Sequence, residues 1–168
     1  MLRRPGPSHI RAMSSSPESF KPADPEFAAR ICDSFARQGA MALIGARLAR
    51  IEPGLAEIEL PYSTQITQQH GFVHAGIVST ALDSACGYAA ASLMPADSGI
   101  LTIEFKINLL APAAGERFRF EGRVRKPGRT IVVAEGDAYA VDAAGRERLI
   151  ATMTATEMTI VGRADVKG

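Results

Sequence analysis

The chain has 168 residues, of which 46 % are hydrophobic and 22 % charged, which suits one domain with a real core and a tail. Nineteen Lys and Arg oppose 18 Asp and Glu, so the formal net charge is +1 and there is no electrostatic case for nucleic acid or a membrane surface. Trp is absent and aromatics make up only 6 %, so stacking platforms for single-stranded nucleic acid are scarce.

Residues 1–23 are rich in Pro, Ser and Arg, lack periodicity and read as a disordered leader, within which Met13 offers an alternative start. No apolar run follows Arg3, Arg4 and Arg11, so nothing there reads as a secretory signal. The main domain is expected over 24–160. Asp24-Pro25-Glu26 opens a helix, with Asp24 as N-cap, and Phe27, Ile31 and Phe35 form its apolar stripe up to a stop at Gly39. Met41–Ile51 and Leu55–Pro61 read as two strands joined by a turn at Glu52-Pro53-Gly54.

A polar loop over 63–73 leads into a long helix predicted from Ala75 to Met94. That helix is apolar on nearly every face, so it is expected to be buried all round. It is too rich in Ala, Ser and Gly to serve as a transmembrane span. Four strand-like runs follow: Leu101–Leu110, Arg117–Lys126, Thr130–Val141 and Glu147–Ile160. Their short Pro- and Gly-containing connections mark antiparallel hairpins. Residues 161–168 read as a frayed tail. The order of helix, two strands, long helix and four strands predicts an α+β layer architecture in which the sheet curls around the helix.

Cys32 and Cys86 lie in separate apolar contexts with no metal-binding spacing. A disulfide framework or a zinc site is therefore not expected, and a reducing compartment is the simpler reading. Cys86 reads as a small core residue, since no nearby cation favours its thiolate.

Asp83 is the only charged residue between Ala75 and Ala96. It sits mid-helix, where neither capping nor the helix dipole accounts for it. A buried carboxylate needs a partner or a raised pKa, which makes Asp83 a candidate base or nucleophile. The plainer alternative is an Asp at a solvent-lit edge, or one bonded to Ser84 or Ser79. Just before the helix runs His70-Gly71-Phe72-Val73-His74-Ala75-Gly76. Small residues and free N–H groups at a helix start suit an oxyanion, although glycines for turning and a His as cap explain the run too. Nine residues of helix separate His74 from Asp83, about 13 Å. One chain cannot easily bring both to one carbonyl, so joint catalysis requires at least a dimer.

Along Leu101–Asn108, Thr102, Glu104, Lys106 and Asn108 alternate with apolar residues and are expected on one strand face. Arg123, Arg125, Lys126 and Arg129 cluster at one hairpin, where they could meet the phosphates of a nucleotide carrier or simply keep a strand edge soluble. No dinucleotide, P-loop, zincin or nucleophile-elbow motif is present.

From Leu55 to Ile160 these residues resemble the hotdog-fold thioesterases of the phenylacetate-degradation (PaaI) type. That family carries Gly-x-x-His-Gly-Gly and a helical Asp nine residues after the His. Here the matching residues are Gly71-Phe72-Val73-His74-Ala75-Gly76 and Asp83. The run Lys106-Ile107-Asn108-Leu109-Leu110-Ala111-Pro112-Ala113 is also similar. The resemblance implies a hotdog fold, with an antiparallel sheet of five to six strands wrapped around one long central helix. It implies dimers, often paired as tetramers, with active sites at the dimer interface, and a cytoplasmic acyl-CoA thioesterase needing no metal or other cofactor. It makes Asp83 the catalytic acid, the N–H of Ala75 or Gly76 the oxyanion donor and His74 the support of that loop. Gln68, where many relatives have Asn, and Thr102 are then placed to orient water. Two departures stand out: Ala75 replaces the first Gly after the His, and Gln68 has the longer arm. Rival readings are a non-catalytic acyl-CoA-binding or sensing protein and a hotdog hydratase or dehydratase. The small residues Ala81, Ala85, Ala89 and Ala90 are expected to leave room for a medium chain or an aryl ring.

Overall fold

The computed structural model describes residues 20–163 and residue 165. The expected leader therefore lies outside the described residues up to position 19, as do residues 164 and 166–168 of the expected tail. Helices α1 (Phe27–Ala36) and α2 (Gly39–Ile44) precede strands β1 (Arg47–Glu52) and β2 (Leu55–Pro61). The long helix α3 (Ala75–Ala91) follows. The chain then forms β3 (Ser98–Leu109), β4 (Arg117–Lys126), β5 (Ile131–Val141) and β6 (Glu147–Val161). The six strands make one antiparallel sheet in the order β1-β2-β4-β5-β6-β3. With α3 against one face of this sheet, the expected α+β hotdog architecture is observed.

Alternation builds the core. Ala56, Ile58 and Leu60 on β2 face α3, as do Phe118, Phe120 and Val124 on β4, Val132, Ala134 and Ala138 on β5, and Ala151, Met153 and Ala155 on β6. The helix turns Val78, Ala81, Leu82, Ala85, Cys86 and Ala89 toward them. Its small side chains meet glycines on the sheet. A Cβ at Gly122 would overlap the Ala85 carbonyl, and one at Gly136 would lie 2.8 Å from Cys86 Sγ. Ala81, Ala85, Ala89 and Ala90 are thus fully buried at the helix–sheet contact, and none lines either cavity described below. This corrects the expectation that they make room for an acyl group: they bring helix and sheet close together. The outer sheet face is polar. There Arg119 bridges Glu57, Glu121 and Glu147 and lies 4.3 Å over the Tyr139 ring.

Several boundaries differ from expectation. Met41–Ile44 is the end of α2 rather than the start of a strand, and Gly39 begins that helix instead of stopping α1. The apolar run Met41–Ile44 fits either element, and the αL cap at Gly45, with φ of 74°, closes it as a helix. Helix α1 starts at Phe27 with Glu26 at its N-cap position. The Asp24 carboxylate accepts the Glu26 N–H and pairs with Arg30, whose guanidinium also donates to the carbonyls of Ala91 and Met94. Helix α3 ends at Ala91 rather than Met94, with the Ser92 hydroxyl donating to the Ala89 carbonyl.

Candidate active site

Helix α3 is not buried all round. Gly76, Thr80, Asp83 and Gly87, at spacings of four, three and four, form a stripe that the fold leaves partly open. Asp83 therefore sits half-buried rather than in the core. Beside it runs β3, the last strand of the sheet, so one of its edges has no partner strand among the described residues. Leu101, Ile103, Phe105, Leu109 and Leu110 in and after this strand are all exposed. The open stripe and the open edge meet where the Thr102 hydroxyl donates to Asp83 Oδ1 at 3.0 Å.

Thr102 reaches Asp83 because β3 is irregular. Thr102 pairs with Glu157 of β6, but Glu104 pairs with the next residue, Thr156, so Ile103 is an extra residue. The bulge reverses the alternation. Thr102 shares the helix-facing side with Phe105 and Ile107, which oppose the buried Ala155 and Met153. Glu104, Lys106 and Asn108 point the other way: Thr156 donates to Glu104, and Lys106 donates to Asn108 at 2.7 Å. The single polar face expected for these four residues is therefore split. Neither serine is the partner of Asp83. Ser79 donates to the Ala75 carbonyl and Ser84 to Gln38. Burial holds the Asp83 carboxyl above its ordinary pKa, and the Thr102 bond draws it partway back.

At the other end of the stripe, His74 is the N-cap of α3, and its Nδ1 accepts the Gly76 N–H at 2.9 Å. This fixes the neutral tautomer with its proton on Nε2. It also commits the Gly76 N–H, so of the two expected oxyanion donors only the Ala75 N–H is left without an acceptor among the described residues. Gln68 stands in the turn before the helix, where its backbone N–H donates to the Phe72 carbonyl and its Oε1 accepts the His70 N–H. Among the described residues its side-chain NH₂ has no hydrogen-bond partner.

Two open cavities flank these groups. One, of about 460 Å³, is lined by Gln68, Ala75, Val78 and the apolar residues Leu109, Leu110 and Ile150. The other, of about 400 Å³, holds Asp83, Thr102, Ser84, Gln38, Ser34 and Tyr88. They share no lining residue. Within one chain the helix N-terminus and the carboxylate thus open into two separate cavities, in line with the spacing between His74 and Asp83. Arg123, Arg125, Lys126 and Arg129 line neither cavity. Arg123 pairs with Glu121 and Arg125 with Glu135, while Lys126 and Arg129 have no ion-pair partner among the described residues. Burial raises the Cys86 thiol far above its ordinary pKa, as suits a core residue. No group of metal-ligating side chains occurs among the described residues, and none of their helices is long and apolar enough to cross a membrane.

One residue of the site escaped the sequence reading. Glu157 is fully buried on the helix-facing side of β6, opposite Thr102, and neither carboxyl oxygen has a hydrogen-bond partner among the described residues. A signal existed: in β6 the inward positions run Ala151, Met153, Ala155, Glu157, and the last breaks an apolar phase. Burial first, and the negative charge of Asp83 second, raise its pKa to about 7.

The model of the thioesterase superfamily matches residues 70–145, the stretch that carries the loop, α3 and the first strands after it. A thioesterase family protein from Silicibacter pomeroyi, known as a crystal structure, is 58 % identical; the match covers 81 % of this chain and 99 % of that one, with a TM-score of 0.79. The chain belongs to the thioesterase superfamily. A protein of Saccharolobus solfataricus classed provisionally as an esterase is 36 % identical over 89 residues, 53 % of this chain, and the match spans 63 % of that curated relative, just under two thirds. The PaaI protein of E. coli, 18 % identical over 82 % of this chain and 95 % of that one with a TM-score of 0.71, shares the fold. Membership of the superfamily supports thioester hydrolysis as the class of chemistry.

Proposed function

We propose that this thioesterase-superfamily protein hydrolyses an acyl-CoA to free carboxylate and CoA in sites formed between two copies of the chain. The observation that carries this reading is the pair of half-sites on one helix. One offers an N–H without an acceptor at Ala75, and the other offers a carboxylate of raised pKa at Asp83. The open stripe of α3 and the apolar edge of β3 meet at the Thr102–Asp83 bond. A second copy related by two-fold symmetry would cover that face and bring each Ala75 toward the partner's carboxylate cavity.

In this arrangement the thioester carbonyl accepts the Ala75 N–H at the positive end of the helix dipole. Loss of a donor of this kind typically costs a factor of about 10²–10³ in rate. Asp83, held by Thr102, either activates water or attacks the carbonyl, in which case a transient anhydride forms and is hydrolysed. On the first route water adds to the carbonyl carbon and the C–S bond breaks; on the second the C–S bond breaks as Asp83 adds, and water then cleaves the anhydride; on both CoA leaves as the thiol. His74 keeps the loop in shape, and the Gln68 amide orients water or the carbonyl. The phosphates of CoA would meet the hairpin cations, chiefly the unpaired Lys126 and Arg129.

Free-thiol release from a panel of short, medium, long and aryl acyl-CoAs tests the reading. Asp83→Ala should lose at least about a hundredfold in rate while remaining folded. Wild-type protein that binds acyl-CoA but releases no thiol would instead favour a sensing role.

A further inference from the structure

Glu157 lies under α3, enclosed by groups whose chemistry can be enumerated. From α3 the titratable residues facing it are Asp83 and Cys86. Across the sheet it is opposed by Thr102 of β3 and Val132 of β5. Along its own strand the inward neighbours are Ala155 and Thr159, and the Thr159 hydroxyl is also without a partner. Glu104 turns to the outer face with Thr156. Among the described residues no cation favours the ionised form of Glu157. A buried carboxylate with no cation and no donor is among the costliest groups a core can hold, so the acid keeps its proton.

The protonated acid has one route to satisfaction. The Thr102 hydroxyl has already given its hydrogen to Asp83, but its oxygen still has acceptor capacity. The Thr102 and Glu157 side chains lie directly opposite each other on neighbouring strands, where cross-strand pairs approach closely. We propose that Glu157 is a positioning residue for Asp83: its carboxylic O–H donates to Thr102 Oγ1, Thr102 donates to Asp83, and the two carboxyls share a single negative charge lodged at Asp83. The chain of donors fixes the hydroxyl rotor of Thr102 toward Asp83. It also keeps a second charge away from a site where the reaction builds an oxyanion. When Glu157 ionises it stops donating, competes for the Thr102 hydrogen and repels Asp83, so the rate falls. This role rests on the hydrolytic reading for its effect on rate, but the protonation of Glu157 does not.

The two parts are therefore tested separately. In wild type, kcat should fall about tenfold per pH unit above a single midpoint near the value of about 7 that the acid holds. Glu157→Gln, which stays neutral and can still donate, should keep kcat at pH 6 and lose this alkaline limb. Glu157→Leu should also lose the limb but run about fivefold slower, because the Thr102 oxygen has no donor. An alkaline limb that persists in Glu157→Gln, or Gln and Leu variants that behave alike, would overturn the proposal. Infrared difference spectra need no substrate. They should show a protonated carboxylic-acid carbonyl stretch at pH 6 that is lost in Glu157→Gln and titrates at lower pH in Asp83→Asn. Absence of that band in wild type sinks the idea whatever the enzyme hydrolyses. A titrating band in a protein that cleaves no thioester leaves the carboxyl pair standing and removes only the proposed reaction.

Discussion

Among the described residues Thr102 is the one side chain that bonds Asp83, and the direction of its influence on charge is defined. Its hydroxyl favours the ionised carboxylate, against the burial that disfavours it. Thr102→Val keeps the shape and removes the donor, so the Asp83 pKa should rise. The ionised fraction is then lost at a higher pH, and the acidic limb of kcat should move upward, with Thr102→Ser restoring it. A pH–rate profile of the three proteins checks this; a limb that does not move would separate Thr102 from the carboxylate. Glu157 adds a stability signature of its own. Its folded pKa of about 7 stands above the ordinary 4.5, so the folded chain holds a proton that the unfolded chain has released. Stability from this group is full below pH 4.5, declines as pH rises and levels off above 7. The loss is on the order of 3 kcal/mol. Denaturant midpoints measured from pH 4.5 to 8 should fall in wild type and change much less in Glu157→Gln.

Among the elements, the hairpins were the most legible part of the sequence. Arg117–Lys126 was recovered to the residue, because alternation and flanking turn residues agree there. The short α2 was not recovered, since five apolar residues between two glycines carry no period that separates helix from strand. The bulge at Ile103 was invisible for a different reason. The polar and apolar alternation of Leu101–Asn108 continues through it, and only pairing with β6 shows that Thr102 and Glu104 point to opposite faces. The carboxylate of the candidate site was therefore legible as an anomaly, whereas its hydroxyl partner was assigned to the wrong face and Glu157 was passed over inside a regular strand. Packing of α3 on the sheet was misread as vacant space. The absence of side chains at Gly122 and Gly136 lets the helix settle, and the alanines fill the contact. Gly122→Ala sets a Cβ against the Ala85 carbonyl, a backbone atom that cannot swing away. It should cost about 1–3 kcal/mol, read as a lower urea midpoint with an unchanged m-value. An unshifted midpoint would mean that α3 can lift off the sheet without loss.

At the scale of the whole molecule, the separation of the half-sites makes a prediction that one-chain catalysis does not share. If each site draws Asp83 from one copy and the Ala75 N–H from the other, defects in the two groups should complement. Asp83→Asn removes the carboxylate. Ala75→Pro removes the N–H at the first helical position, where proline is well tolerated, and His74 before it is already extended at φ −62° and ψ 138°. Each variant alone should be inactive. In a mixed dimer one site receives both defects, while the other receives Asp83 from the proline variant and Ala75 from the asparagine variant and is intact. Random exchange of equal amounts makes half of the dimers mixed, with one good site in two, so activity should recover to about a quarter of wild type. Co-refolding the two variants and measuring thiol release provides the test, with a mixture kept below exchange conditions as control. Recovery would require the two groups to meet across an interface. Variants that stay silent after verified exchange would place both groups within one chain and remove the dimer from the mechanism.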